Sequence, residues 1–176
     1  MILRCSTVVL AAVLATIVAL SVSAVEPEKA EAASTVKTCG GRTIELNAKE
    51  QRTLILHNRE RRSRGLRALC VHPLLTKAAR AHSTSMIKKD YFGHGKTGRR
   101  LKRLGYDWRV YGENIAGGTG RYAYPANTFR RWMKSSGHRA NILDRRFREI
   151  GIGTATGNYK GKTGYTMYTV DFGTRR

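Results

Sequence analysis

Two histidines and one glutamate, each directly after a glycine, are the residues of this sequence best suited to chemistry. They are His94, His138 and Glu113, and the glutamate is one of only 12 acidic residues. A glycine leaves the backbone free to turn the next side chain into a cavity. Two imidazoles and a carboxylate suit zinc with an open coordination position, but their long-range spacing matches no local ligand motif. From pattern alone a metal site and ordinary loop residues therefore both remain open.

The other three histidines are interpreted as structural. His82 falls on the apolar face of a predicted helix, where a lone histidine is more often a core residue than a ligand. His57 lies in the middle of a charged helix, and His72 precedes a proline in a turn. Neither of these has a partner nearby in the sequence.

Helix signals dominate the first half of the chain. Asn47 followed by Glu50 predicts a capping box that opens a helix over residues 47–64, and Gly65 provides the stop. Pro73 can start a second helix, because proline is tolerated in the first turn. In that helix five residues at helical spacing predict the packed face: Leu75, Ala78, Ala79, His82 and Met86.

The second half adds short helices and then strands. A basic helix with Leu101 and Leu104 inward ends at Gly105. Pro125 opens a helix with an apolar stripe that ends near Gly137. Two alternating segments, from Ile150 onward and over residues 165–172, predict strands joined by a turn at 158–164. Helices first and antiparallel strands last predict an α+β domain.

The N-terminus has the pattern of a secretory signal peptide over residues 1–24. Arg4 precedes an apolar run that ends in Val22, Ser23 and Ala24, and Ala33 offers a second cleavage site. An uncleaved membrane anchor is the alternative, since the run is close to the length of a bilayer span. We predict cleavage, then a flexible lead-in over residues 25–46, and a folded domain over residues 47–176.

Two cysteines, Cys39 and Cys70, remain after removal of a signal peptide that contains Cys5. An even pair in an oxidising compartment favours a disulfide, which would tie the N-terminal arm to the domain. Two free thiols are the alternative.

The charge is strongly positive, with 33 Lys and Arg against 12 Asp and Glu and a formal net charge of +21. Such a field attracts polyanions, which outside a cell are anionic lipid, wall polymer, acidic glycan or free nucleic acid. Solubility alone is the alternative explanation. The arginine-rich runs at 59–64 and 99–103 fall on helices, and we interpret them as solvated faces. Nucleic acid is disfavoured, because the basic residues are not interleaved with aromatics along strands.

An ordered set of motifs resembles a known family. The stretches HNRERRSRGLRAL, AARAHSTSMIKKDYFGHG, RLKRLGY, GENIAGG, FRRWMKSSGHRANILDRRFREIGIG and YTMYTVDFG follow one another across residues 51–173. They resemble the bacterial secreted branch of the CAP superfamily, the SCP-like proteins. This resemblance implies an α-β-α sandwich with a small, mostly antiparallel sheet between helical layers. It also implies a third strand, which we expect near residues 109–113.

In this family a cavity is lined by two histidines and two glutamates, and in some members the histidines hold a divalent metal such as zinc. By motif, the resemblance assigns His94 and His138 as the histidines and metal ligands, and Glu113 as the first glutamate. Where many members have the second glutamate, this chain has Ser135. A hydroxyl cannot replace a carboxylate as base or anionic ligand. Acid–base catalysis by four residues is thus disfavoured unless Glu149 or Asp171 lies in the cavity with the two histidines.

Two functions follow from the resemblance and the charge. The first is a binding module for lipid or anionic wall polymer that is secreted, extracellular or envelope-associated and contains a divalent-metal cavity. Six aromatic residues could form the apolar wall of its groove: Tyr91, Phe92, Tyr106, Trp108, Tyr111 and Tyr122. The second is a metal-assisted hydrolase of peptide or glycan, with Glu113 as general base. The serine in place of a glutamate favours binding over catalysis. A nucleophilic serine is disfavoured, because Ser135 and Ser136 lack the G-x-S-x-G turn.

Overall fold

A computed structural model describes residues 33–176, so the predicted signal peptide lies outside the described residues. The helices are α1 Ala48–Ser63, α2 Pro73–Lys88, α3 Thr97–Arg103, α4 Pro125–Lys134 and α5 Ser136–Leu143. The strands are β1 Ser34–Lys37, β2 Thr43–Leu46, β3 Cys70–Val71, β4 Trp108–Gly118, β5 Glu149–Tyr159 and β6 Lys162–Arg175. None of the helices within this range is long and apolar enough to span a membrane.

The main sheet has four strands in the order β3-β5-β6-β4. Only the short β3 runs parallel to its neighbour, and the other pairs are antiparallel. β4 lies at one edge and includes the third strand expected near residues 109–113. β3 was not predicted, because a two-residue strand carries no periodicity that a sequence can show.

Helices cover both faces of this sheet. α1, α4 and α5 share one apolar cluster with β-strand residues such as Ile150, Val170 and Phe172. On the opposite face, smaller clusters contain Leu75 of α2, Leu101 of α3 and Met167 of β6. The predicted α+β class and α-β-α sandwich are confirmed.

Local signals placed most helix ends correctly. The Asn47 side chain accepts from Glu50 N–H, and the Glu50 carboxylate accepts from Asn47 N–H, which completes the predicted capping box. Pro73 and Pro125 occupy first turns as expected. The helix predicted to end near Gly137 instead ends at Lys134, and α5 begins at Ser136. The break is at Ser135, whose backbone is extended at ψ 124°.

The prediction of a flexible lead-in is wrong for residues 34–46. β1 and β2 pair as an antiparallel hairpin, and Leu46 at its end is fully buried in the main core. The predicted disulfide is confirmed. Cys39, in the turn between β1 and β2, is bonded to Cys70 in β3. Apolar burial and the disulfide thus attach the hairpin to the sheet.

Two arginine-rich runs are not simply solvated faces. Arg61 of α1 is fully buried, and its guanidinium donates to the carbonyl oxygens of Ile142 and Asp144 at 2.8 and 3.0 Å. Arg100 of α3 has only 13% of its side chain exposed and is discussed below. In each run one member faces inward, because an α-helix turns every fourth residue back to the same side.

α2 lies directly on β5 because two strand residues have no side chain. A Cβ placed on Gly153 would lie 2.0 Å from the backbone nitrogen of Arg80, and one on Gly151 would lie 2.1 Å from the backbone carbon of Leu75. The close approach lets Ser83 of α2 donate to the Gly153 carbonyl at 2.9 Å. Helix and strand are therefore in backbone contact, with no layer of side chains between them.

We predict that Gly153→Ala destabilises the fold by about 3 kcal/mol or more, because the methyl group would have to displace helix backbone. Chemical denaturation of the purified protein measures this. The control is Gly137→Ala in α5, where a Cβ meets nothing within 4 Å. That change should be neutral or stabilise by up to about 1 kcal/mol. Equal midpoints for the two variants would contradict the proposed backbone contact.

Candidate functional site

Glu113 is a buried carboxylate at the edge of the sheet. It faces Asp171 across β4 and β6, and Asp171 in turn faces Gly151 across β6 and β5. Three donors surround the carboxylate: Thr97 Oγ1 at 3.0 Å, His94 Nδ1 at 2.7 Å, and the Arg100 guanidinium in an ion pair. The charge of Glu113 is therefore balanced within the protein.

His94 lies in the loop between α2 and α3, and 53% of its side chain is exposed. Its Nδ1 is held by Glu113, so Nε2 is the ring nitrogen left for a ligand. A carboxylate behind an imidazole fixes its tautomer and orientation, as is common for metal-binding histidines. The glycine before Glu113 serves close packing and not the backbone turn expected from the sequence, since Gly112 lies in β4 and a Cβ on it would lie 2.8 Å from the Phe147 ring.

His138, in α5, has no carboxylate beside it. Its Nδ1 shares a hydrogen bond of 2.9 Å with Ser135 Oγ, and its backbone carbonyl accepts from the Asn114 side chain at 3.0 Å. Burial is the largest cause that lowers the pKa of His138, and the positive charges of His94 and Arg131 add to it. Ser135 thus orients the ring, while burial favours the neutral form of the imidazole.

The two carboxylates considered as substitutes for the second glutamate have different positions. Glu149 accepts from the Tyr106 hydroxyl at 2.6 Å and from Arg175 at 3.0 Å, away from His94 and His138. Asp171 lies directly behind Glu113 and 3.6 Å from Arg100 Nη2. Burial, followed by the charge of Glu113, raises the pKa of Asp171 well above its usual range. The protonated form of Asp171 is therefore favoured, and neither acid replaces the missing glutamate.

His82 is buried, as expected for a core residue, but it lies close to the site. Its Nε2 donates to the Gly93 carbonyl at 3.0 Å and is 4.0 Å from Glu113 Oε2. Burial, with a contribution from Arg100, lowers the pKa of His82. The hydrogen bond from His82 to Gly93 therefore attaches the loop that contains His94 to α2.

The free edge of β4 is capped by side chains from α4 and α5. The carbonyls of Glu113, Ile115 and Gly117 alternate along the edge, and each accepts from a different side chain. The donors are Asn141 at 3.1 Å, Trp132 Nε1 at 3.1 Å and Arg131 at 3.4 Å. These contacts place His138 and Ser135 opposite His94.

Sequence reasoning missed several of these positioning residues. Asn114 and Asn141 bond to each other at 2.9 Å, and both lie inside motifs quoted above. Thr97 and Arg100 follow His94 by three and six residues, at spacings that place them on one side of a short helix. Nothing local distinguishes Arg100 from the arginine beside it.

Three clefts lie along β4, and His94 and Arg131 each belong to two of them. The α3 cleft has a volume of about 690 Å³ and extends from His94 and Glu113 past α3 to Trp108 and Tyr111. The central cleft, about 470 Å³, is lined by Phe92, His94, Arg131, Ser135 and His138, with Trp132 behind them. The Tyr122 cleft, about 420 Å³, lies between Tyr122, Arg131, Lys162 and Tyr165.

Most of the aromatics proposed as a groove wall do line these or adjacent clefts. Phe92, Tyr111 and Tyr122 are 52%, 38% and 44% exposed, one in each of the three clefts. Trp108 is half-buried against Tyr111, and Tyr91 lines another cleft beside α3. Tyr106 is the exception, since it is fully buried in the core.

The candidate metal ligands are only partly assembled. In residues 33–176, a single set of three or more potential ligands has donor atoms within 4.8 Å of one another, and it is Cys39, Cys70 and Glu149. Its two sulfurs are bonded to each other, so it is not a metal site. His94 and His138 share the central cleft, whereas Glu113 is engaged behind His94. The donor set suits a divalent ion held by two imidazoles.

Comparison with known proteins agrees with this geometry. Residues 54–172 match the model of the cysteine-rich secretory protein family, CAP. The chain belongs to the CAP family. The resemblance inferred from the motifs is thus confirmed, and it applies to most of the described residues.

Two Bacillus proteins are similar to this CAP chain. It is 38% identical over 113 residues to the uncharacterized protein YkwD of Bacillus subtilis, a match that covers 61% of this chain and 43% of that protein. An extracellular protein with an SCP domain from Bacillus anthracis is similar in structure, with a TM-score of 0.62, 25% identity, and coverage of 77% of this chain and 47% of that one. The chain therefore spans less than half the length of these two relatives.

An outer surface protein of Borrelia burgdorferi shares the fold, with a TM-score of 0.62 and 16% identity. The match covers 82% of this chain and 99% of that one. Of the two structural neighbours, one is thus described as an extracellular protein and the other as an outer surface protein.

We predict that Ser135→Glu raises the pKa of His138, because a carboxylate beside the ring favours the imidazolium. An NMR titration of the histidine ring signals measures this. Ser136→Glu serves as the control, since it adds the same charge at the next residue, whose hydroxyl makes no contact with the ring. An equal rise in both variants would contradict a specific role for residue 135.

Proposed function

We propose that this CAP protein is secreted and binds anionic components of the cell envelope or its surroundings, through phosphate or carboxylate groups presented by lipid headgroups or polymers. The observation that supports this is the lining of the α3 cleft. Four cations line it together with two aromatics: Lys96, Arg99, Lys102 and Arg103 with Trp108 and Tyr111. Its single acid, Glu113, is already neutralised by Arg100.

The exposed charge of this cleft is thus positive throughout. Lys102 Nζ lies 5.0 Å from the centre of the Trp108 ring, so a cation and an aromatic face are offered together. A ligand with an acidic group next to an apolar surface matches both features. Export and the positive charge of the whole chain are consistent with such a partner.

The state of Glu113 favours binding over catalysis. A general base must be able to take a proton from a substrate, but this carboxylate is 7% exposed and receives three donors. Ser135 occupies the position at which a second glutamate would face His138. The acid–base pair that hydrolysis would use is therefore incomplete.

Metal-assisted hydrolysis is the second candidate function, supported by the two histidines that share the central cleft. His94 and His138 would hold the ion, and Glu113 would orient the His94 ring. A divalent ion supplies a Lewis acid for a carbonyl or phosphoryl oxygen of a peptide or glycan substrate. The lowered pKa of His138 fits this role, because a histidine ligand must be neutral.

We predict saturable binding of the purified protein to phosphatidylglycerol vesicles or to polygalacturonate, and none to phosphatidylcholine vesicles or dextran. Because the contacts are between exposed charges, affinity should fall roughly tenfold or more between about 50 and 200 mM salt. Cosedimentation measures binding to the vesicles, and fluorescence anisotropy measures binding to the polysaccharides. Absence of binding to every anionic probe would overturn the proposal.

The location of the site is tested by two variants of equal net charge. Lys96→Gln, Arg99→Gln and Lys102→Gln together should weaken binding at least roughly tenfold, because they remove cations from the α3 cleft. Arg59→Gln, Arg62→Gln and Arg67→Gln are the matched control, since these exposed arginines lie on or after α1. Equal losses would show that only total charge matters.

For the second candidate, we expect calorimetry to show one zinc ion per chain, lost in the His94→Ala, His138→Ala double variant. Glu113→Gln should weaken zinc binding roughly 10- to 100-fold by releasing the His94 ring. Glu60→Gln, which removes an acid paired with Arg64 on α1, should have no effect. A wild-type protein that binds no zinc would rule out the metal-assisted reaction.

A further inference from the structure

We infer that the three clefts form one continuous groove along β4, here called the β4 groove, and that it binds a linear acidic glycan. This inference rests on the proposed function and specifies its ligand. The clefts follow the strand in order, from Trp108 and Glu113 through Ile115 and Ala116 to Gly117 and Gly118. His94 joins the first cleft to the second, and Arg131 joins the second to the third.

The length of the groove indicates a polymer and not a small molecule. β4 has 11 residues, which corresponds to roughly 35 Å of extended strand. Separate pockets would be isolated from each other by backbone or buried side chains. Here the two junctions, His94 and Arg131, are exposed side chains and not buried ones, so solvent reaches each junction.

Each cleft contains an exposed aromatic ring and at least one cation. Tyr111 accompanies Lys102 in the α3 cleft, and Phe92 accompanies Arg131 in the central cleft. In the third cleft, Tyr122 lies near Arg131 and Lys162. A ring face can stack on the apolar face of a sugar, and a cation can pair with its acid. The repeat of both elements matches a polymer whose units each carry a sugar ring and an acidic group.

A peptide strand is a poorer fit to the same groove. An extended peptide binds a sheet edge through the free backbone groups of that edge. The carbonyls of Glu113, Ile115 and Gly117 already accept hydrogen bonds from Asn141, Trp132 and Arg131. These three outward carbonyls of β4 are therefore already occupied, and a peptide strand would not find them free as acceptors.

A lipid headgroup would use only part of the groove. One phosphate and its ester occupy a single cleft, whereas the cations at Lys102, Arg131 and Lys162 belong to three. The three clefts would then bind independently. Affinity that increases with ligand length distinguishes a polymer from a headgroup.

The experiment measures the affinity of the purified protein for galacturonate oligomers of increasing length by calorimetry. We expect short oligomers to bind weakly and longer ones progressively tighter, by roughly tenfold or more in total, up to the length of the groove. Lys162→Gln and Phe92→Ser should each weaken binding of the long oligomer severalfold, with little effect on the shortest. The Arg59→Gln, Arg62→Gln, Arg67→Gln control should retain the length dependence.

The outcomes separate this inference from the proposed function. If phosphatidylglycerol vesicles bind but no oligomer does, or if affinity is independent of length, the β4 groove is overturned while anion binding stands. If no anionic probe binds, both fail. Inorganic polyphosphate binding as tightly as an oligomer of equal charge would show that sugar stacking plays no part. A single-stranded oligonucleotide binding more tightly than any oligomer would replace the glycan by nucleic acid.

Discussion

The buried carboxylate of Glu113 is the interaction on which the arrangement of this molecule's functional face depends. It is the point where the His94 loop, helix α3 and the edge of the sheet meet, through His94, Thr97 and Arg100. α3 is short and rich in positive charge, and an isolated helix of seven residues is not stable in water. It is attached by the apolar contacts of Leu101, by a hydrogen bond from Trp108 Nε1 to the Gly98 carbonyl, and by this one acid. A protein with a large excess of cations thus uses a buried anion to hold a basic helix against its core.

The sheet determines where that anion lies. Gly151 and Gly153 allow α2 to rest on β5, so the row of residues beside Gly151, namely Asp171 and Glu113, is covered by helix on the same face. At the edge, side chains of α4 and α5 donate hydrogen bonds to every second carbonyl of β4. These bonds fix the position of His138 and of Ser135, where α4 ends and α5 begins. The central cleft is therefore formed between two supports, α2 with its loop on one side and α4 with α5 on the other. Both histidines are also attached to neighbouring residues of β4, His94 through the Glu113 carboxylate and His138 through its carbonyl and Asn114.

How much of this could be predicted depended on whether the signal was local. The capping box at Asn47, the proline starts at Pro73 and Pro125, and the alternation in β5 and β6 are all short-range features, and each was found. The pairing of Cys39 with Cys70 followed from counting. The hairpin over residues 34–46 was missed because small and polar residues surround it, and its burial depends on Leu46 reaching a distant core. Arg61 and Arg100 were missed because their partners lie far away, in carbonyls after α5 and in a carboxylate on β4. Motifs identified His94, Glu113 and His138, but a motif does not indicate which of these side chains is accessible to a ligand and which is engaged in internal hydrogen bonds.

The accessibility of Glu113 is the feature on which our preference between the two proposed functions rests. A catalytic carboxylate needs an accessible lone pair and a proton to move, whereas a structural one needs donors that satisfy it. Glu113 has the second kind of environment, and the pKa of Asp171 behind it is raised well above its usual range by burial first and by the charge of Glu113 second. The negative charge of the site is thus held inside and cancelled there. What reaches solvent along β4 is the complementary set of lysine, arginine and histidine side chains with exposed aromatic rings, and this charge pattern is the reason that we propose binding of an acidic ligand over hydrolysis.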